Sequence, residues 1–339
     1  MRLTRLRIAI TVAAVLSALA VLPSSRADVG PPSASFTFGA AGDMGGGQNA
    51  ASTLTALSGS GVDFYLHLGD MSYDNVTPES AWCDFVKSKV GSTLPYEIVS
   101  GEHDAGGRFS NSNQLIGDFA SCMPDRMSST GTYGKQYYFD YPPSAPLARV
   151  IMITPGLSLY APKAFAPYTK GSANYLWVQS AIDSARAAGI PWVIVGMAFN
   201  CITAGVNPCQ MGADLQDLLV AEKVDLVLQG HEHGYERSKQ LGLGPSCPAV
   251  AVGSFRSGCV VNDGAHGDYG KGAGPVIVIA GTAGTALRPM NPKDSEAPYP
   301  GSFSRLARLR SGIRVKALLA RKTALVEGAG PLPRRALPR

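Results

Sequence analysis

VDLVLQGHEHGYER, residues 224–237, sets an apolar run of strand character directly before two histidines spaced two apart. Residues i and i+2 of an extended chain face the same way. His231 and His233, lifted from the run by Gly230, therefore present two imidazoles on one side, in a chain that has only five histidines. Such a pair can hold one metal ion or two adjacent ones. A polar loop after a strand is the plainer reading of an isolated motif this short. Which reading holds depends on whether other metal donors end other strands.

The same form recurs along the chain. SFTFGAAGD (35–43), VDFYLHLGD (62–70) and LPYEIVSGEHD (94–104) are apolar runs that close on carboxylates, and ARVIMITPG (148–156), PWVIVGMAF (191–199) and GPVIVIAGTAG (274–284) also read as strands. Between them QNAASTLTAL (48–57), TPESAWCDFVKSKVG (77–91), SANYLWVQSAIDSARAAG (172–189) and GADLQDLLVAEK (212–223) read as helices. The second of these has Thr77 as its N-cap and Glu79 in its first turn. Strands alternating with helices predict an α/β fold with a largely parallel sheet covered on both faces. Ligands of such sheets gather beyond the carboxyl ends of the strands. There stand Asp43, Asp70, Glu102-His103-Asp104, Asn200, His231 and His233. No period of 20–50 residues marks a solenoid.

Composition bounds the answer. With 45% apolar and 16% charged residues the chain is globular. MRLTRLR (1–7) followed by the apolar IAITVAAVLSALAVL (8–22) predicts a signal peptide over 1–27; the run falls short of the about 20 residues of a membrane span. An exported protein without a stable membrane anchor follows. Six cysteines without a CxxC suit disulfides. Proximity suggests Cys201–Cys209 and Cys247–Cys259, leaving Cys83–Cys122. The net charge of +5 resides at the ends: four arginines in 1–27, and ten Lys or Arg against Glu327 in 303–339. The body, 28–302, is thus mildly acidic, which argues against nucleic acid as a partner. Residues 303–339 read as a basic, Pro-rich tail, either poorly ordered or opening with an amphipathic helix.

Taken together, AGD (41–43), GDMSY (69–73), GEHD (101–104) and GHEHGYER (230–237) resemble the calcineurin-like metallophosphoesterases. Tyr73 and the Tyr-Glu-Arg after the second histidine make the chain similar to the purple acid phosphatases, in particular the small secreted bacterial type. The resemblance runs over 36–300. It implies a four-layer α/β/β/α sandwich and hydrolysis of phosphate esters, of acid phosphatase or phosphodiesterase type, by metal-activated water. It also implies iron paired with iron, zinc or manganese, with a ferric tyrosinate giving colour. Asp43, Asp70, Tyr73 and His233 would hold the first metal, Asp70 bridging to a second held by His231 and Glu102. His103 would bind phosphate and protonate the leaving oxygen, with Asp104 orienting its imidazole.

Two positions depart from the family pattern, both at the second metal. Glu102 replaces an asparagine and Ala198 a histidine, while Asn200 lies on the same side of an extended strand as Ala198. Two functions fit: a secreted phosphoesterase acting on small phosphate esters, or a catalytically impaired relative that binds phosphate or metal. The other candidates read as structural. His67 is a core histidine, His266 an exposed loop residue, and Glu236 and Arg237 pair structurally. No GxSxG elbow and no Walker loop occurs.

Overall fold

A computed structural model of the chain describes residues 35–106, 113–159, 165–265, 268–303, 313–318 and 323–328. The signal segment expected at 1–27 and His266 lie outside these residues.

Aromatic side chains join two sheets face to face. Phe38 in β1 (Ser35–Ala41) stacks on Phe64 in β2 (Phe64–His67), ring centroids 5.2 Å apart. Phe139 and Tyr141 of the other sheet meet Phe64 edge-on at 5.6 and 5.0 Å. In the first sheet β1, β2 and β3 (Tyr96–Ile98) run parallel. The second sheet begins with an antiparallel pair, β4 (Thr130–Thr132) and β5 (Gln136–Tyr141), continued by β6 (Ala148–Met152). From there it runs parallel through β7 (Trp192–Met197) and β8 (Leu226–Gln229). β9 (Tyr235–Ser238) lies farther across this sheet, and β10 (Gln240–Leu241) pairs with β11 (Val260–Asn262) apart from it. β12 (Asp268–Gly270) belongs to the first sheet, while β13 (Val276–Ala280) and β14 (Pro300–Phe303) complete the second in the order β14-β9-β13-β8-β7-β6-β5-β4.

Helices cover the outer faces. Leu57 of α1 (Gln48–Ser58) lies over Gly39, whose Cα–Cβ direction is opposite to that of Phe38. α2 (Glu79–Val90) is tied to α3 (Ile116–Cys122) by the Cys83–Cys122 disulfide. On the other side Arg149 of β6 donates to the Ala181 carbonyl and the Ser184 hydroxyl of α4 (Ala173–Ala187), and α5 (Ala213–Ala221) precedes β8. The result is the α/β/β/α sandwich expected, with a parallel centre in each sheet and not one parallel sheet. Cys201–Cys209 and Cys247–Cys259 also form. Among the described residues no helix is long and apolar enough to cross a membrane.

Within 303–339 the described residues include two strands: β15 (Ile313–Leu318) pairs antiparallel with β1 from Ser35↔Leu318 to Ala40↔Ile313. β16 (Thr323–Gly328) then pairs with β15 and with β12. IRVKAL alternates apolar and basic residues at period two, a strand pattern, and β1 without it would be an open sheet edge. Thr77 does not cap α2; the residue before the helix is Pro78, with no side-chain cap, and Glu79 instead accepts the Leu115 amide at 3.1 Å.

Candidate metal centre

The carboxyl ends of β1, β2, β3, β7 and β8 meet at one edge of the sandwich, and the backbone just past them is bent sharply. Asp43, Asp70, Tyr73 and His231 have φ of 63°, 55°, 55° and 62°. Non-glycine residues seldom adopt this left-handed region, and such strain clusters at functional sites. Glycines let the turns close: a Cβ on Gly69, itself at φ 83°, would stand 2.6 Å from that of Ala198.

Two groups of donors form around Asp70. In the first, the Tyr73 hydroxyl donates to Asp43 Oδ1 at 2.7 Å and lies 3.4 Å from Asp70 Oδ2 and 3.1 Å from His233 Nε2. His233 Nε2 is 3.2 Å from Asp43 Oδ1, and its Nδ1 meets the Ala286 carbonyl at 3.0 Å, which fixes the ring. In the second, His231 Nδ1 lies 3.9 Å from the same Asp70 Oδ2 and 3.5 Å from Glu102 Oε1. One ligand atom each from Asp70, Glu102 and His231 falls within 4.8 Å of the others. Across the sheets, Asp43 Oδ2 accepts the His231 amide at 2.8 Å.

The electrostatics favour a cation. Asp43 and Asp70 are buried, Glu102 is half-buried, and buried carboxylates are ordinarily paired or bound to metal. Burial works against charge on His231 and His233, but Asp70 and Glu102 at the one and Asp43 at the other hold both above their ordinary pKa. Burial, then Asp43, pushes the Tyr73 phenol well up; a cation beside it would oppose that shift. Burial and Asp70 raise Glu102. His231 Nε2 is buried without a hydrogen-bond partner. Carboxylate, imidazole and phenol oxygen and nitrogen suit iron, zinc or manganese. Asp70, Glu102 and His231 form a partial metal-binding group; Asp43, Tyr73 and His233 would be the donors to a further ion beside it.

His103 borders both groups. Its amide donates to Asp70 Oδ1 at 2.9 Å, its ring lies 4.0 Å from that of Tyr73, and its Nε2 is 3.8 Å from Glu102 Oε1. Burial lowers its pKa, against Asp70 and Asp43. Among the described residues no hydrogen bond joins Asp104 to this imidazole. Its carboxylate turns into the turn itself and accepts the amides of Asp70, Met71 and Gly101 at 2.8, 3.0 and 2.9 Å. In the short 3-10 turn at 102–104 it is the backbone around the bridging carboxylate that lies within its reach.

Ala198 is buried against Gly69 and brings no donor, and neither amide atom of Asn200 is hydrogen-bonded. His67 is a core residue, its Nδ1 2.9 Å from the Tyr96 hydroxyl and its pKa lowered by burial to about 4. Glu236 and Arg237 do not pair with each other. Glu236 accepts the Thr203 hydroxyl and the Ala204 amide, whereas Arg237 lies over the Tyr269 ring, because neighbours on a strand face opposite ways. Glu232, in the bend between β8 and β9 with the two histidines, accepts the amides of Val206 and Asn207 at 2.8 and 3.0 Å. Arg288, beside the histidines, carries no sequence signal of its own.

The chain is 27% identical over 231 residues to a phosphoenolpyruvate phosphatase of Allium cepa, covering 62% of this chain and 43% of that protein. It is 27% identical over 234 residues to purple acid phosphatase 18 of Arabidopsis thaliana, covering 65% and 49%. It thus spans about half the length of the curated relatives it matches. A purple acid phosphatase from seeds of yellow lupin (Lupinus luteus) shares the fold, with a TM-score of 0.60 at 19% identity over 84% of this chain and 50% of the other. Residues 36–235, which carry every donor named above, match the family model for calcineurin-like phosphoesterases, and the chain belongs to that family.

Proposed function

We propose that this protein is an exported phosphoesterase that hydrolyses small phosphate esters at a two-metal centre built around Asp70. The observation that carries the reading is the convergence of Asp43, Tyr73 and His233, and of Glu102 and His231, on Asp70. Metal ions held there supply Lewis acidity, which activates water and neutralises phosphoryl charge. The protein's own part is positional and acid–base. Asp70 is fixed through the His103 amide, and His233 through Ala286. His103, its ring 4.0 Å from that of Tyr73, is the residue we assign to bind phosphate and give a proton to the leaving oxygen. Export is supported by the amino-terminal sequence and by three disulfides.

Two measurements on the purified full chain test the reading. After loading with iron, zinc or manganese, elemental analysis should find two ions per chain, and aryl phosphate hydrolysis should follow loading. Asp70→Ala should remove most of both. A loaded protein that binds phosphate but turns over neither monoester nor diester would make it a binding protein instead.

A further inference from the structure

Glu102 adds a carboxylate to a centre that already holds Asp43 and Asp70, and an anionic ester must approach all three. A cation stands beside them. Arg288 lies in the loop after β13, half-buried. Its amide donates to the His233 carbonyl at 2.8 Å, and its Nη1 donates to the His231 carbonyl at 3.4 Å. One residue is thus tied, by its amide and its guanidinium, to the backbone of both histidines. Asn207 reaches the same His231 carbonyl at 3.3 Å, and the Asn291 amide bonds the Ala204 carbonyl at 2.7 Å, so the 203–207 and 285–291 loops form one rim.

The guanidinium has no carboxylate partner within ion-pair distance among the described residues. It has five N–H donors, and one long bond to a carbonyl leaves most of them available. A permanently charged, planar donor that is held in place but unpaired suits the oxygens of a phosphate. Leu287 beside it and Val206 on the adjoining loop are exposed apolar side chains, suited to the organic part of an ester.

We propose that Arg288 is a phosphate-binding residue of this site, holding the oxygens of the anionic ester and offsetting the charge of Glu102. The proposal rests on the metal centre described above but not on turnover. Its test is calorimetric titration of the metal-loaded full chain with inorganic phosphate, beside kinetics on an aryl phosphate. Arg288→Gln keeps a donor for the His231 carbonyl and loses the charge. It should weaken phosphate binding about tenfold and raise KM more than it lowers kcat, with metal content equal to the wild type. Arg288→Lys should recover part of the affinity. Wild-type phosphate affinity in Arg288→Gln would overturn the proposal. So would loss of metal in both variants, which would make Arg288 a support for the histidines. A chain that binds phosphate through Arg288 without hydrolysing esters would uphold it and defeat the enzymatic reading. Hydrolysis with undiminished phosphate affinity in Arg288→Gln would do the reverse.

Discussion

Nδ1 of His231 stands 3.5 Å from Oε1 of Glu102 and 3.9 Å from Oδ2 of Asp70. In the centre proposed above, Glu102 would serve a second ion, where the family pattern has a neutral amide. With alanine at 198, that ion would have fewer protein donors than the first.

The second ion is therefore expected to bind more weakly. Ala198→His should raise its affinity by about tenfold, a magnitude typical of ligand-environment changes. Restoring asparagine at 102 in the same chain should give an effect different from the sum of the two single changes, because both act on one ion. Stepwise metal titration of the four proteins measures this. Two equally tight ions in the wild type, unaltered by Ala198→His, would refute the weak-second-site idea.

His103→Gln should leave metal content intact and lower turnover roughly 10²- to 10⁴-fold, the range for loss of a general acid. The loss should be larger for an alkyl phosphate than for a nitrophenyl phosphate, whose leaving oxygen needs no proton. Equal losses for both leaving groups would assign His103 to binding alone.

Asp104→Ala should act on stability first. It orphans three buried amides, at Asp70, Met71 and Gly101, each costing roughly 1–3 kcal/mol when unpaired. Because neighbouring losses overlap, a destabilisation on the order of 3 kcal/mol is expected, read from denaturant unfolding with disulfides intact. A wild-type midpoint would show that water or the chain re-pairs the amides.

Glu97 gives the fold a pH dependence. It is fully buried, and burial pushes its carboxyl up to about 8. The folded state then holds a proton that the unfolded chain releases near the ordinary value of 4.5. Its contribution is complete below that value and is lost as pH rises through about 8, with a limiting slope near 1.4 kcal/mol per pH unit. Glu236, raised by burial to about 7, adds to the trend, while His67, lowered by burial to about 4, opposes it below its ordinary 6.5. Unfolding between pH 6.5 and 8 should accordingly show stability falling with pH, and Glu97→Gln should flatten the curve. Parallel curves for the two proteins would show that Glu97 ionises within the fold.

The sequence by itself determined the central strands, and cysteine proximity the disulfide pairs; the candidate donors followed from motifs at the strand ends and the family they resemble. Apolar runs of period two mark strands, and the strand-closing residues Asp43, Asp70, Glu102 and His231 had to lie at one edge once those strands ran parallel. Tertiary structure alone decided the rest. The distances to Asp70 depend on two sheets meeting at that edge, with four residues held at positive φ. Asp104 could be assigned to backbone amides only when the turn at 101–104 was seen against Asp70 and Met71, some thirty residues earlier. The strand at 313–318 became legible as part of the fold only beside β1, because its alternation needs a partner edge to become a sheet. Arg288 belongs to no motif. It reaches the site through hydrogen bonds to the carbonyls of His231 and His233, and every residue has such a carbonyl, so no pattern of side chains could announce the contact.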